Sequence, residues 1–583
     1  MANLVSPGFN TSSLVNEILA PNEERIIEFM GLNRRPVVDE GEMSDMWNLT
    51  SENYPLLTPR KPRGLYSLPG DAVEPVAIMT RFGKIGLIAE DSNGDICFYF
   101  DGQKISSVTG LGVGTRMVSI NTKICFFPQK TYLEVYQTDN GVQVGNYGSL
   151  EDSAELSAKA VTISNDDVRI DAGSDHNFAY DDAINIEGSL TYTPEGGSET
   201  TVPCLASCII EEMDGTTLVL PRETFIELTG DVPSNVTFTG TISRTMPNLD
   251  HVIEWNNRLW GAVNNDNTIY ACKLGDPRNW QYYQGTSLDS YYAQQGTDGV
   301  WTGCAHYSNH LIFFKQNSMA RIYGTSPSNF QITNTECYGV EDGSRRSVVT
   351  INDRVFYKSV IGIMAYDGGI PYCISDKLNT RYKTAVGGTE GTKYYCSAQS
   401  ENGGYELMVL DIDKAEWHKE DNLRIASYCS LDNKLYYVTQ GNGILLCGND
   451  VICSDWLLVG GVSEEPGHVG IVNPDNPAED YNDMEWHATF GPFDEFIENR
   501  KIYSKILIRL VPVEEDCTVS VYISLNEGPW ELVKAFDPVP MGGEFIPIIP
   551  RRCDRYSIKV EGTGNCSIKS LTRRVRKGTG GKL

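Results

Sequence analysis

His306 and His310 stand four residues apart, the spacing of two metal ligands on one face of a helix. Here they bracket Tyr-Ser-Asn between two runs of strand-forming residues, so a turn is expected to separate them. Five carboxylates (Asp289, Asp298, Glu341, Asp342 and Asp367) fall near predicted strand ends, where a glycosidase built on a ring of sheets would hold its acid and its base. Asp and Glu are also ordinary turn residues, and five among 77 acidic side chains define no site. The chain has no Gly-x-Ser-x-Gly elbow, no phosphate-cradling glycine loop, no His-Glu-x-x-His and no EF-hand loop. The reading is therefore of a protein that is not an enzyme, with no catalytic residues, no metal and no cofactor. Its 15 cysteines form no Cys-x-x-Cys pair, the nearest approach being Cys204 and Cys208, and mostly sit singly in apolar runs, which fits reduced, buried thiols. Aromatic residues offer a rival function. Trp255, Trp260, Trp280, Trp301 and Trp417, with Tyr282, Tyr283, Tyr291 and Tyr292, could stack on sugar rings. Several of them, Trp260 and Trp417 among them, also sit where core packing is expected. A basic strip near the end, Arg573, Arg574, Arg576 and Lys577, could dock an acidic neighbouring subunit.

The elements that carry these residues repeat. From Arg258, His310, Arg354, Lys393 and Lys434 the chain restates one pattern: a few apolar residues, a turn, a few more apolar residues, a Gly or Asp. The starts are 52, 44, 39 and 41 residues apart. β-branched and aromatic runs flank turns such as Asn402-Gly403-Gly404 and Gly441-Asn442-Gly443, so each copy is predicted to be a β-hairpin. Two earlier copies begin at Lys84 and Lys123, 39 residues apart. Hairpins recurring at this interval are the signature of a β-propeller, because one small sheet cannot bury both its faces alone.

The expected fold is all-β: a propeller of about seven blades, an inserted β-rich domain and a C-terminal β-sandwich. Residues 1–63 form an extended arm, with a short helix expected near Ser13 and a Pro-rich phrase from Gly41 to Gly64. The propeller occupies 64–150 and 245–459. Its interruption at 151–244 is acidic and Ser/Thr-rich, with strands read at KAVTIS, AINIEGSL, TLVLP and VTFTGTISR. A Gly/Pro/Asp/Asn-rich linker spans 460–483, the sandwich 484–576 and a tail 577–583.

The net charge of −29 argues against tight nucleic-acid binding over the whole surface. It leaves open a passage through which DNA slides, and leads to the expectation of an acidic lumen that repels it. No run is long and apolar enough to span a bilayer, and the first residues lack the basic and apolar regions of a secretory signal; folding in a cytoplasm is expected.

Several phrases resemble a known group. NRLWGAVNNDNTIYACKLGDPRNW (257–280), SNHLIFFKQNSMARIYGTSPSNF (308–330) and FYKSVIGIMAYDG (356–368) are similar to propeller-bearing structural proteins of tailed bacteriophages and prophages of Gram-positive gut bacteria. GEMSDMWNLTSENYPLLTPRKPRG resembles their amino-terminal segment, and IIPRRCDRYSIKVEGTGNCSIKSLTRRV their carboxy-terminal sandwich. A more distant likeness is to the nozzle or tail-stabilisation proteins of short-tailed phages. The resemblance implies a virion protein of the tail or portal vertex, made in the host cytoplasm and assembled as a hexameric ring that lines or plugs the DNA conduit. Its implied partners are copies of itself, portal, adaptor or other tail proteins, and DNA passing without sequence-specific contact. A tail-borne receptor- or glycan-binding protein, with a host surface glycan as partner, is the alternative.

Overall fold

The computed structural model describes residues 22–164, 166–194, 197–225, 234–439, 446–447, 450–451, 468–472, 474–480, 482–494, 501–512, 516–537 and 544–577. The helix expected near Ser13 and the turn Gly441-Asn442-Gly443 lie outside them. Among the described residues the only helical turns are short 3-10 segments such as Arg345–Ser347 and Asp376–Leu378; no helix is long and apolar enough to cross a membrane.

The chain is all-β, and most of it forms small antiparallel sheets whose strands follow sequence order. The first holds Ala72–Arg81, Lys84–Asp91, Ile96–Phe100 and Gln103–Lys104, and the second Arg116–Ile120, Lys123–Phe127, Thr131–Thr138 and Gly141–Ser149. The third to sixth begin with His251–Trp255, Trp301–Tyr307, Val349–Ile351 and Tyr382–Thr389. Another joins Ile425–Leu431, Lys434–Thr439 and Val469–Val472 to Gly64–Tyr66 from the arm. The opening strand of each sheet contacts that of the next, and the last returns to Ala72–Arg81. This cyclic contact is the arrangement of a β-propeller.

Local chemistry explains the hairpins. Asn256-Asn257 and Asp432-Asn433 have positive φ at both positions, the backbone of a two-residue turn matched to strand twist. A basic or imidazole side chain opens the second strand of each sheet: Lys84, Lys123, Arg258, His310, Arg354, Lys393 and Lys434. Several are anchored within their own sheet, as Lys84 is to Asp101 at 2.9 Å and Lys123 to Glu134 at 3.2 Å. The second strands themselves are nearly all buried, as in Leu311–Phe314.

Two expectations need correction. The copy beginning at Lys434 does not fold back on its own second half: Lys434–Thr439 pairs with Val469–Val472, while Leu446–Cys447 pairs with Asp450–Val451. The span 460–483 consequently contains a strand of the ring as well as connecting chain. Its Gly, Pro and Asp content masked a strand of only four residues, Val-Gly-Ile-Val.

Between the second and third sheets, 152–244 builds a seven-stranded sheet with its own core, including Val168, Ile186, Leu190, Leu220 and Phe238. It docks on the third sheet through Asp182, which is fully buried. That carboxylate accepts from Arg244 and from Asn279 Nδ2 (3.1 Å), while the Ala183 amide donates to Asn279 Oδ1 (2.8 Å).

Beyond the ring, two sheets share one apolar core that includes Trp486, Phe490, Ile508, Val521, Ile558 and Ile568. Each takes an edge strand from the arm. Asn22–Ile26 pairs with Cys566–Lys577 in one sheet, and Met43–Trp47 pairs with Glu485–Phe493 in the other.

Candidate functional site

Two features of this scaffold concentrate buried charge: the seam where the arm crosses the ring, and the channel at the ring's centre.

The seam runs along the outer strand of the sixth sheet, Glu416–Asp421. Phe29, Leu32, Met43, Met46, Leu49 and Leu57 of the arm are at most 3% exposed and share a core with Trp417 and Trp486. Around that core, ion pairs tie arm to ring. Arg34 makes a two-pronged contact with Glu406, at 2.9 Å on each arm, and Tyr382 Oη donates to the same carboxylate at 2.9 Å. Burial opposes ionisation of Glu406, but the Arg34 guanidinium outweighs it and lowers the carboxyl to about 2. Arg63, 4% exposed, faces Glu420 at 2.7 Å and also Asp421. Burial alone would push its guanidinium down; the Asp421 and Glu420 charges hold it well above its usual value. Ser51 donates to Asp411 at 2.6 Å, and Lys393 reaches Thr50 at 3.2 Å and Glu52 at 3.3 Å. Glu416 differs from these. It is 8% exposed, its Oε2 has no partner, and burial together with the Asp411 charge raises its carboxyl to about 7.

At the ring's centre, a cavity of about 380 Å³ is lined by Ile78, Arg116, Arg346, Val386, Ser427 and neighbouring residues of the opening strands. Two guanidinium groups line it and no carboxylate does. Arg116 donates to the main-chain carbonyls of Asp250 and of Leu249 (3.3 Å), and Arg346 to that of Ala426 (2.8 Å). Burial, reinforced by the charge of Arg116, lowers Arg346 to about 10. The lining of this cavity is thus not the acidic one expected from net charge. A net charge says how much acid a surface carries, not where it lies, and the lining of this cavity carries two guanidiniums. The cavity is also of small-molecule size, not a passage for a duplex.

The remaining sequence candidates are scattered. His306 pairs with Leu311 and His310 with Tyr307, which puts the two imidazoles on opposite faces of one hairpin. His310 is buried and bonds Tyr366 Oη at 2.8 Å. Asp289 is consumed by its own loop, accepting the amides of Gln284 (2.9 Å), Gly285 (2.7 Å) and Thr286 (3.1 Å). Glu341 pairs with Lys358, whereas Asp298, Asp342 and Asp367 are exposed in separate loops. Among the described residues no group of three or more His, Cys, Asp or Glu is arranged to hold a metal ion. Trp255, Trp260, Trp280, Trp301 and Trp417 are 0–7% exposed and belong to the core. Of the tyrosines, Tyr282 is buried and Tyr291 packs on Trp260, while Tyr283 and Tyr292 remain exposed, 6.1 Å apart and edge to face.

In the basic strip, Arg573 is 2% exposed. It contacts Glu40 of the arm at 2.5 Å and lies 3.9 Å over the ring of Phe493. Arg574 meets Glu23 at 2.7 Å. These two arginines receive an acidic partner from their own chain. Arg576 and Lys577 continue the same strand, opposite Ile502 and Lys501. The signal for this lies on the arm, where Glu23 sits within the strand Asn22–Ile26 and Glu40 precedes Met43–Trp47.

No protein-family model matches the chain, and no curated protein matches it. Among solved structures, similarity is found to Hsv2 of Kluyveromyces lactis, at 10% identity over 44% of this chain and 71% of that one, with a TM-score of 0.25. It is also found to an exo-beta-1,3-galactanase from Phanerochaete chrysosporium, at 10% identity over 55% and 95%, TM-score 0.22, and to puromycin hydrolase, at 9% over 66% and 62%, TM-score 0.24. Likeness this slight carries no argument about function, and the fold above rests on strand pairing.

Proposed function

We propose that the chain is a structural subunit of a tailed-bacteriophage virion, a ring-forming component of the tail or portal vertex that holds the tail together. In this reading the ring is a seven-bladed propeller, its last blade closed by Gly64–Tyr66, and the two-sheet unit is a β-sandwich. The observation that carries the proposal is the arm. One segment completes the ring, lends an edge strand to each C-terminal sheet and is pinned by buried ion pairs. Such stitching makes propeller and sandwich a single stiff block, the property a subunit under mechanical stress requires, and its cost in buried charge is not explained by catalysis. The sequence resemblance to phage propeller proteins supplies the biological setting. DNA would then pass through a lumen encircled by several copies, since each chain's own channel is too small.

Electron microscopy of whole particles, with the subunit located by a tag, tests this directly. The expected result is a symmetric ring of copies, six by the resemblance, around the tail axis; a protein absent from purified virions would sink the proposal. A second reading, glycan binding, draws on the exposed pair Tyr283 and Tyr292. A glycan array should be silent for the purely structural subunit, and a specific signal abolished by Tyr292→Ala would favour the alternative.

A further inference from the structure

The channel arginines are not accounted for by the structural role. In a chain of net charge −29, Arg116 and Arg346 line one central cavity with no carboxylate among its lining residues. The Asp250 charge acts on Arg116, although the hydrogen bond there is to its main-chain carbonyl; among the described residues no acidic side chain acts on Arg346. Both guanidiniums brace the ring through carbonyls: Arg116 from the second sheet to the chain entering the third, Arg346 from the turn before the fifth sheet to Ala426. Bracing leaves donors over. A guanidinium has five N–H groups; among the described residues Arg346 has one acceptor, the Ala426 carbonyl, and Arg116 Nε is buried without one.

Two like charges sharing a desolvated space repel each other, and the Arg116 charge weakens Arg346's hold on its proton. An apolar side chain of similar length would fill the channel without that penalty. The arrangement becomes favourable when an oxyanion sits between the two groups, accepting the spare donors as charge-assisted hydrogen bonds. The volume of about 380 Å³ is that of a small-ligand site. Its wall alternates apolar side chains (Ile78, Met117, Val386) with the hydroxyls of Ser427 and Thr115, the mixture that fixes a small polar ligand in place.

We infer that the central channel is a binding site for a small oxyanion, a phosphate or a carboxylate, held between Arg116 and Arg346. The site is independent of the virion reading: it would exist in any protein with this channel. Thermal unfolding of the full chain, titrated at constant ionic strength with inorganic phosphate in one arm and glutarate in the other, tests it. A ligand of the folded state raises the midpoint as its concentration passes the dissociation constant. The expected outcome is a saturable rise for at least one anion, the stronger arm identifying the chemistry, with binding at least tenfold weaker in Arg346→Gln. Arg116→Gln removes the opposite guanidinium and gives a second reading if Arg346→Gln does not fold. No saturable rise for either anion in the unaltered protein, or equal affinity in the folded variants, overturns the inference.

Discussion

The amide of Leu32 donates to the carbonyl of Trp417 across 2.6 Å, and both side chains are 1% exposed in the same core. Arm and ring therefore meet backbone to backbone as well as through side chains, and the approach leaves no room beside it. Gly31 has φ of +79°, and a Cβ there would stand 2.6 Å from Trp417 O. Gly31→Ala is expected to lower stability by about 1–3 kcal/mol from backbone strain alone, with the clash adding to it. Urea unfolding of variant and wild type measures this; an unchanged midpoint would mean the arm is not seated as described.

Arg63 answers two buried carboxylates at once. Arg63→Met leaves Glu420 and Asp421 facing each other without a cation, at a cost of about 3–5 kcal/mol. Adding Glu420→Gln and Asp421→Asn should recover much of that loss, because the penalty comes from stranded charge and not from lost packing. A double-mutant cycle showing simple additivity would contradict the pairing.

Glu416 sets a pH dependence of definite sign. Its folded carboxyl, at about 7, lies above the ordinary value of 4.5, so the folded state keeps a proton that the unfolded chain releases. The associated stability is complete below about 4.5 and is lost as pH rises toward 7, amounting to about 3 kcal/mol. Asp411, Glu42, Lys414 and Lys377 set the local field. Carboxylates held low, such as Glu406, act in the opposite sense at lower pH, so the comparison must be with Glu416→Gln. The variant should gain on the wild type as pH climbs through this window; parallel stability curves would place Glu416 elsewhere.

Removing residues 1–66 should do more than trim an end. It leaves Val469–Val472 as an open edge and strips an edge strand from each C-terminal sheet. The expected product is aggregated or readily proteolysed, and improved when the arm is supplied as a separate chain. A truncated monomer with wild-type melting behaviour would refute the stitching role.

How much of this was legible beforehand varied with how self-contained each signal is. The hairpins from Arg258, His310, Arg354 and Lys393 could be read directly, because their turns and their β-branched and aromatic runs lie together in sequence. Gly64–Tyr66 could not be read as a strand: three residues, Gly-Leu-Tyr, carry no alternation, and only pairing with Val469–Val472 defines them. The same holds for the channel. Arg116 opens a short strand and Arg346 sits in a 3-10 turn, far apart in sequence, and only closure of the ring brings them to one cavity. The tryptophans misled in the other direction, since an indole that could stack on a sugar reads the same as one that fills a core.

The arm's pairings also impose a timetable. Asn48 bonds the carbonyl of Glu485, 437 residues later, and Asn22–Ile26 finds its partner only in Cys566–Lys577. A ribosome delivers the fastening first and the objects to be fastened last. Phe29, Leu32, Met43 and Met46 must therefore stay uncovered through most of synthesis, and a chain with such distant pairings matures slowly. Supply of this protein is for that reason expected to be governed by chaperone capacity as much as by translation.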